Sequence, residues 1–352
     1  MRKDIWREAG SRIKRTGFLF LCFLTAAGFF AAGFSAYRKT AAGSFYISGY
    51  YKEAQISAGD MKKFLENQSH EKSKGRNLDI PQTAGWARTD DISFERADGT
   101  EEEGILFQVC GSMEVLFSDG LCGGNLPWRE DKSGCVISTA LAWELYGGKE
   151  AVGNQIFVQG REYFIRGILE EDKSFLAVPA QESDQMENFR MKYKSAKEPV
   201  SAAESFLYQM TGKQPDAVFE GVFFAGLSRI ILFVTILILE VFCLAVLWRR
   251  IRKIETGRVR IPLKIILSLL FFMLFFLEGF RAFSFSWDYL PSMWSDLSFY
   301  PQLFKEKAEM VKKLLETQLC PADEMTLACL WKTGVCSAAG TAAGCLLHFL
   351  RK

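Results

Sequence analysis

Histidine is nearly missing from this 352-residue chain, which has 2, His70 and His348. With so few imidazoles, a multi-histidine metal site or a histidine-based catalytic dyad is hard to build. His70 lies in a polar stretch and His348 in an apolar one, and both read as incidental. An excess of one charge is also lacking. The 43 basic and 41 acidic residues leave a formal net charge of +2, without the basic surplus of a nucleic-acid binder. Low-complexity disorder is excluded by 31 Phe and an aromatic share of 14%. No G-x-x-x-x-G-K-[ST] loop occurs: Met210-Thr211-Gly212-Lys213 is followed by Gln214, so the Mg²⁺-binding hydroxyl is missing. G-x-G-x-x-G, H-E-x-x-H and G-x-S-x-G are absent too. The acidic runs Glu101–Glu103 and Glu170–Asp172 read as solvated loops. The chain is expected not to be an enzyme and to carry no metal or cofactor of its own.

What the chain does have is long apolar runs. Residues 17–36 are uncharged, and about 20 such residues span a bilayer core as a helix. A secretory signal peptide shares this N-terminal position, but its apolar core is shorter and more apolar runs follow here, so the run reads as an uncleaved anchor. A second span is expected over 227–248, interrupted by Glu240, and a third over 261–280, with Glu278 near its end. The loop 249–260 between them is short and strongly basic (Arg249, Arg250, Arg252, Lys253, Arg258, Arg260), which the positive-inside rule places in the cytoplasm. A fourth span is expected over 333–350, rich in small residues, with Gly340 and Gly344 in a G-x-x-x-G spacing suited to close helix packing. Four spans put residues 1–16 and the C-terminus in the cytoplasm, with 37–226 and 281–332 outside the plasma membrane.

The large outer segment reads as a folded α+β domain. Ser57, Asp60, Met61, Phe64 and Leu65 mark a capped amphipathic helix, and His70–Pro81 a loop. Ile105–Val109 and Cys135–Ser138 are strand-like. Thr139 is placed to cap a helix that Gly147-Gly148 stops. Gln155–Val158 and Glu162–Leu169 form strands joined by a turn at Gln159-Gly160. Ser201 and Glu204 have the spacing of a capping box opening a further helix.

Residues Gly120–Leu169 resemble the periplasmic core domain of MacB-like transporters, which group with FtsX-like permeases. The matching positions are Gly123, Leu126, Asp131, Val136-Ile137-Ser138, Ala142, Leu145-Tyr146-Gly147, Val152-Gly153, Ile156, Gly160, Tyr163, Ile165 and Gly167-Ile168-Leu169. The resemblance implies a MacB-type outer domain between the first two of four membrane helices. It also implies a permease-like subunit of an ABC-type system, with ATP held by a separate ATPase subunit, a second permease subunit completing a homo- or heterodimer, and a partner outside the membrane. The basic loop residues are the candidate contacts for the ATPase. Two departures stand out: the loop lacks the family's Glu-Ile…Arg-Ala-Leu-Gly-Ala pattern, and the segment before the fourth span is long. The alternative is a non-transporting, membrane-anchored binding or regulatory module.

Several residues remain. Glu240, Glu278 and Arg281 are costly in hydrocarbon and should face protein, water or the interface. Of the 9 Cys, Cys110 and Cys122 are a possible disulfide, with Cys122–Cys135 and Cys320–Cys329 as other pairings. Segment 281–332 is aromatic-rich. Phe304, Ala308, Val311 and Leu315 recur at helical spacing, facing either the bilayer or the large domain. Charge is segregated: 1–16, 249–264 and 351–352 together hold 15 basic and 3 acidic residues, the rest 28 and 38.

Overall fold

The computed structural model describes residues 24–75, 79–117, 120–128, 131–193, 197–252, 257–282, 286–290 and 298–351, without the side chains of 257–259, 287 and 346–351. In chain order the helices are α1 (24–42), α2 (Ala58–Ser73), α3 (Met113–Leu116), α4 (Thr139–Tyr146), α5 (Pro199–Thr211), α6 (Gly221–Arg252), α7 (Gly257–Ala282), α8 (Phe299–Leu315) and α9 (Pro321–Arg351). The strands are β1 (Tyr46–Tyr50), β2 (Ile56–Ser57), β3 (Gln82–Arg96), β4 (Glu101–Gly111), β5 (Leu121–Gly124), β6 (Gly134–Ser138), β7 (Gln155–Val158), β8 (Arg161–Leu169), β9 (Phe175–Pro179), β10 (Gln185–Met186), β11 (Asn188–Lys192) and β12 (Ala217–Glu220). They form two compact units: a mixed α+β unit of residues 45–220 with 286–324, and a helical unit of 1–44, 221–285 and 325–352.

The mixed unit has a ten-stranded sheet, in the order β12-β1-β11-β3-β4-β9-β6-β8-β5, with β7 bridging β3 and β8. At one end, β1-α2-β3 and β11-α5-β12 interleave as an antiparallel β12-β1-β11-β3 array, a split βαβ arrangement. Phe64 of α2 meets Phe206 of α5 edge-on at 5.5 Å, so both helices cover one face. Close packing there needs strand glycines: a Cβ on Gly49 would lie 2.5 Å from Leu207 Cδ1, and one on Gly85 2.5 Å from Met61 Sδ. All five residues of β1 are buried, so both faces of this end are covered.

The other half is inserted between β3 and β11. Pairing runs β3-β4-β9-β6-β8-β7 and back to β3, closing six strands into a ring. Phe94, Ile137, Ile156, Ile165, Ile168 and Leu176 share an apolar core, into which α4 sets Leu141, Ala142 and Leu145. This is the segment that carries the MacB-like pattern, and its chemistry is local. Ser138 Oγ accepts from Leu141 N and Phe175 N, both at 3.1 Å, so it caps α4 in place of the expected Thr139. Gly147 ends α4 in the left-handed region at φ 72°. Gln159 and Gly160 both have positive φ, 50° and 75°, as a tight two-residue hairpin requires. Asp131 Oδ1 accepts from Ser133 N at 3.2 Å and Gly134 N at 2.8 Å, and its Oδ2 accepts from Arg166 Nε at 3.0 Å.

Ser57 caps α2 by accepting from Asp60 N at 3.1 Å. The helix continues to Ser73, so His70–Ser73 are helical where a loop was expected. The Ser201/Glu204 box does not form. Pro199 starts α5, and Ser201 lies inside its first turn. Segment 286–324 is not a separate outer element but part of the mixed unit. In α8 the expected stripe faces outward, with Phe304 77% and Leu315 75% exposed, while Lys307 and Leu314 are buried. The helical period was read correctly; of the two faces left open the stripe does not pack on the mixed unit, and Lys307 does so instead because the buried Glu220 carboxylate receives its ammonium.

In the helical unit, α6 and Arg260–Ala282 of α7 are long and apolar enough to cross a membrane, and almost none of their apolar windows is buried. That much uncovered apolar surface needs a non-aqueous surround. The two helices meet through Phe233 and Phe275, ring centroids 6.0 Å apart, and Lys264 Nζ sits 4.9 Å over the Trp248 ring. The first expected span begins among residues outside the described set, and its remainder, 24–36, lies in α1. The fourth, 333–350, lies within α9, which begins 12 residues earlier, at Pro321.

Candidate functional site

The mixed unit concentrates its unusual chemistry in β12, β1 and β11. Glu220, the last residue of β12, is followed directly by the first residue of α6. Its Oε1 accepts from Lys307 Nζ at 2.7 Å and its Oε2 from Tyr289 OH at 2.6 Å. Lys307 also reaches Glu306 at 3.1 Å and stands 5.4 Å over the Tyr289 ring. The Glu220 and Lys307 side chains are 3% and 10% exposed. Burial opposes the Lys307 charge, but Glu220 and Glu306 outweigh it, so its pKa is raised. Burial, then Glu220, also pushes the Tyr289 phenol up, which keeps it a neutral donor. Burial and the Glu220 charge raise Glu204 of α5 too.

A second cluster centres on Asp323, in the first turn of α9. Its Oδ2 accepts from Tyr50 OH at 2.6 Å, and its Oδ1 lies 3.4 Å from Arg190 Nη2. That pair is close enough for charge attraction but is not aligned as a hydrogen bond. The two side chains are 3% and 0% exposed. Tyr50 OH also accepts from Cys320 N at 3.2 Å. The Arg190 guanidinium lies 4.3 Å from the Tyr46 ring centroid and donates to Leu116 O at 3.4 Å. Burial works against the Arg190 charge, but Asp323, Cys320 and the two tyrosines more than offset it, so its pKa is raised. Burial and Asp323 push the Cys320 thiol up to about 12, which keeps it protonated.

Asp288 makes a third tie. Its carboxylate accepts from Val200 N at 3.2 Å, Ser201 N at 3.3 Å and Ser201 Oγ at 2.9 Å. A residue 87 positions away along the chain thus caps α5, where the local capping box was expected. All three ties join segment 286–324 to β1, β11, β12 or α5. Among the described residues no group of three or more His, Cys, Asp or Glu is placed to hold a metal. What these clusters supply is attachment.

Solved structures similar to about half of the chain include two of ABC-type transporter domains. They are the periplasmic region of MacB from Actinobacillus actinomycetemcomitans (10% identity, TM-score 0.41, 51% of this chain and 90% of that one) and the extracellular domain of the noncanonic ABC-type transporter YknZ from Gram-positive bacteria (16% identity, TM-score 0.37, 49% and 97%). The chain is structurally similar to MacB-type periplasmic domains. No protein-family model matches it, and no curated protein matches it in sequence.

The expected site residues fall elsewhere. Arg249, Arg250 and Arg252 occupy the last turn of α6; Arg258 and Arg260 lie in the first turn of α7, and Lys253 lies outside the described residues. Glu240 is half-buried in α6. A Cβ on Gly340 would lie 3.0 Å from the Phe30 ring of α1, and one on Gly344 3.6 Å from Leu239 of α6. Cys110 and Cys122 are not bonded. Cys110 lies near the end of β4 and Cys122 in β5, with β9, β6 and β8 between the two strands in the sheet. Cys110 Sγ instead donates to Ala58 O at 3.5 Å, and Cys122 Sγ to Ile168 O at 3.4 Å. Sequence reading passed over Glu220, Lys307, Tyr289, Asp323, Arg190 and Tyr50. The available signal was faint: Glu220 is a lone acid just before an apolar run, and Asp323 is one of the adjacent acids Asp323-Glu324.

Proposed function

We propose that the chain is a permease-like membrane subunit of an ABC-type system that passes ATP-driven motion from a separate ATPase to its outer unit, for export or for mechanical work in the envelope. In this reading it sits in the plasma membrane with four spans, both termini in the cytoplasm, and pairs with a second permease subunit. The observation that carries it is the pairing of β1 with β12. The two strands are hydrogen-bonded neighbours over four residue pairs, Ile47↔Glu220 to Tyr50↔Ala217. β1 follows α1 after a three-residue turn, and β12 runs straight into α6. A displacement of α1 against α6 therefore loads one β-ladder, and the buried Glu220 and Asp323 clusters tie 286–324 to the same strands. MacB-like sequence features in β6-α4-β7-β8 support the same assignment.

One observation favours the alternative of a membrane-anchored binding or regulatory module. Only residues 253–256 separate α6 from α7, and they lack the family's ATPase-engaging pattern. Gentle solubilisation, affinity purification and cross-linking from Arg250 and Arg260 test the choice. A stoichiometric ATP-binding protein captured at both positions is expected. A complex lacking any ATP-binding subunit sinks the permease reading and leaves the binding module.

A further inference from the structure

Two clefts of the mixed unit, of about 400 and 320 Å³, share Glu66 and Gly111 and so form one groove along α2. Its ends differ. At one end Lys62 and Lys132 line it together with Trp128, which is 85% exposed. At the other end the lining is Leu65, Ile80 and Pro81 beside Ser69. The α2 residues along it run from Lys62 to Ser69, about 10 Å of helical rise. That is about one turn of polyproline II-type chain, which rises about 3.1 Å per residue and returns every third side chain to the same face.

Among the described residues, neither Lys62 nor Lys132 has a carboxylate within 4 Å, and Glu66, one helical turn after Lys62, pairs with neither. Two unpaired ammoniums beside an uncovered indole suit an acidic side chain, with the aromatic surface that anchors protein partners. Glu66 repels a second acid midway and can accept a backbone N–H. Beyond Glu66, the second cleft has no charged residue in its described lining and suits an apolar side chain. A sugar polymer has no such side chain to fill it, whereas an extended peptide carries acidic and apolar groups at set positions. We infer that the groove binds an extended peptide segment of a partner protein, with an acidic residue at Lys62, Lys132 and Trp128 and an apolar residue three positions away at Leu65, Ile80 and Pro81.

The test uses the full chain in nanodiscs of uncharged phosphatidylcholine. The probe is a fluorescein-labelled peptide containing Leu-Pro-Pro-Glu-Pro-Pro-Leu, which offers the acidic and apolar groups in either chain direction. Fluorescence anisotropy should show saturable binding to wild type. Lys62→Glu with Lys132→Glu should weaken it about tenfold or more, as expected for lost charge-assisted contacts. The same variant should bind better than wild type to a probe with Lys in place of Glu. Trp128→Ala should weaken the original probe about tenfold. A probe with benzoylphenylalanine in place of Leu should cross-link to 65–69 or 80–83, read in a chain with both lysines intact. Absent binding to wild type, binding indifferent to the charge reversal, or cross-links elsewhere would overturn the site. Polygalacturonate is the control: lysine-dependent binding of it, but not of the peptide, would assign the groove to an acidic sugar polymer and overturn the peptide. None of these readouts needs an ATPase, so failure of the permease reading leaves them unchanged.

Discussion

In the β6–β8 ring, Ile137, Ile165 and Ile168 have no exposed surface and lie in an apolar cluster. In the β12-β1-β11 array, burial of similar depth falls on Glu220, Arg190 and Asp323, all within 2% exposure. The ring is held by apolar area, at about 1.5–3 kcal/mol per buried aliphatic side chain. The array sets desolvation against Coulomb attraction, a balance that well-packed apolar residues often match or beat. Buried ion pairs are thus poor stabilisers on average, yet here they sit where segment 286–324 must be located on the strands that follow α1 and lead into α6. An apolar contact tolerates sliding. A carboxylate between one ammonium and one phenol tolerates far less, so segment 286–324 is held in one register on these strands.

The sharpest way to break this contrast is to remove one charge. Lys307→Ala leaves Glu220 buried and unpaired and should cost about 3–5 kcal/mol. Thermal unfolding of the solubilised chain, followed by near-UV circular dichroism, measures it. The double variant Lys307→Met/Glu220→Gln should recover most of that loss, because neither side chain then carries a charge. If Lys307→Ala unfolds like wild type, the pair is not the attachment described. The matching test in the ring is Ile137→Ala, a cavity change expected to cost about 2–5 kcal/mol. No neutral partner swap should rescue it.

How much of each region can be read from sequence follows the same division. In the ring, strand, cap, helix, glycine stop and hairpin lie within 36 residues, Gly134–Leu169, so local spacing reveals them. Ser138 beside Thr139 was a one-residue ambiguity, resolved by the buried Phe175 N, which needs the same hydroxyl. In the array, Tyr50 meets Asp323 across 273 positions and Glu220 meets Lys307 across 87. Lys307 looks like any surface lysine among Lys305, Lys312 and Lys313, and nothing local marks it as buried. The α5 cap failed for a similar reason: a long-range carboxylate outcompeted the nearby Ser201/Glu204 pair. The disulfide expectation failed because 11 intervening residues suggest nearness, whereas the chain order places β9, β6 and β8 between the two strands.

Asp131 sharpens the comparison by pH. Burial opposes its charge, but Arg166 and the Ser133 and Gly134 amides hold its pKa below the ordinary aspartate value. The stabilisation it gives is present above that ordinary value and is lost as pH falls through the depressed folded one. Unfolding midpoints measured below pH 5 should therefore drop on acidification, and Asp131→Asn should remove that component while lowering stability at neutral pH. A wild-type acid slope retained in Asp131→Asn would move the effect to another carboxylate.

Asp288→Ala carries a smaller expected effect, about 1 kcal/mol within the usual 0.5–2 kcal/mol for a lost helix cap, since Val200 N and Ser201 N lose their acceptor at the start of α5. It tests attachment rather than burial. Local protection should fall at the α5 amides and in 286–290 together, measured by hydrogen exchange, because one carboxylate serves both. Loss confined to α5 would make Asp288 an ordinary cap. The smallest expected effect is at the exposed pair Lys173–Glu324, 2.6 Å apart with side chains 59% and 39% accessible. Lys173→Ala there should change stability by less than about 1 kcal/mol. Asp323, beside Glu324 and fully buried, should respond several-fold more strongly to Asp323→Ala, because only there does removing a carboxylate strand a charge, on Arg190, away from water.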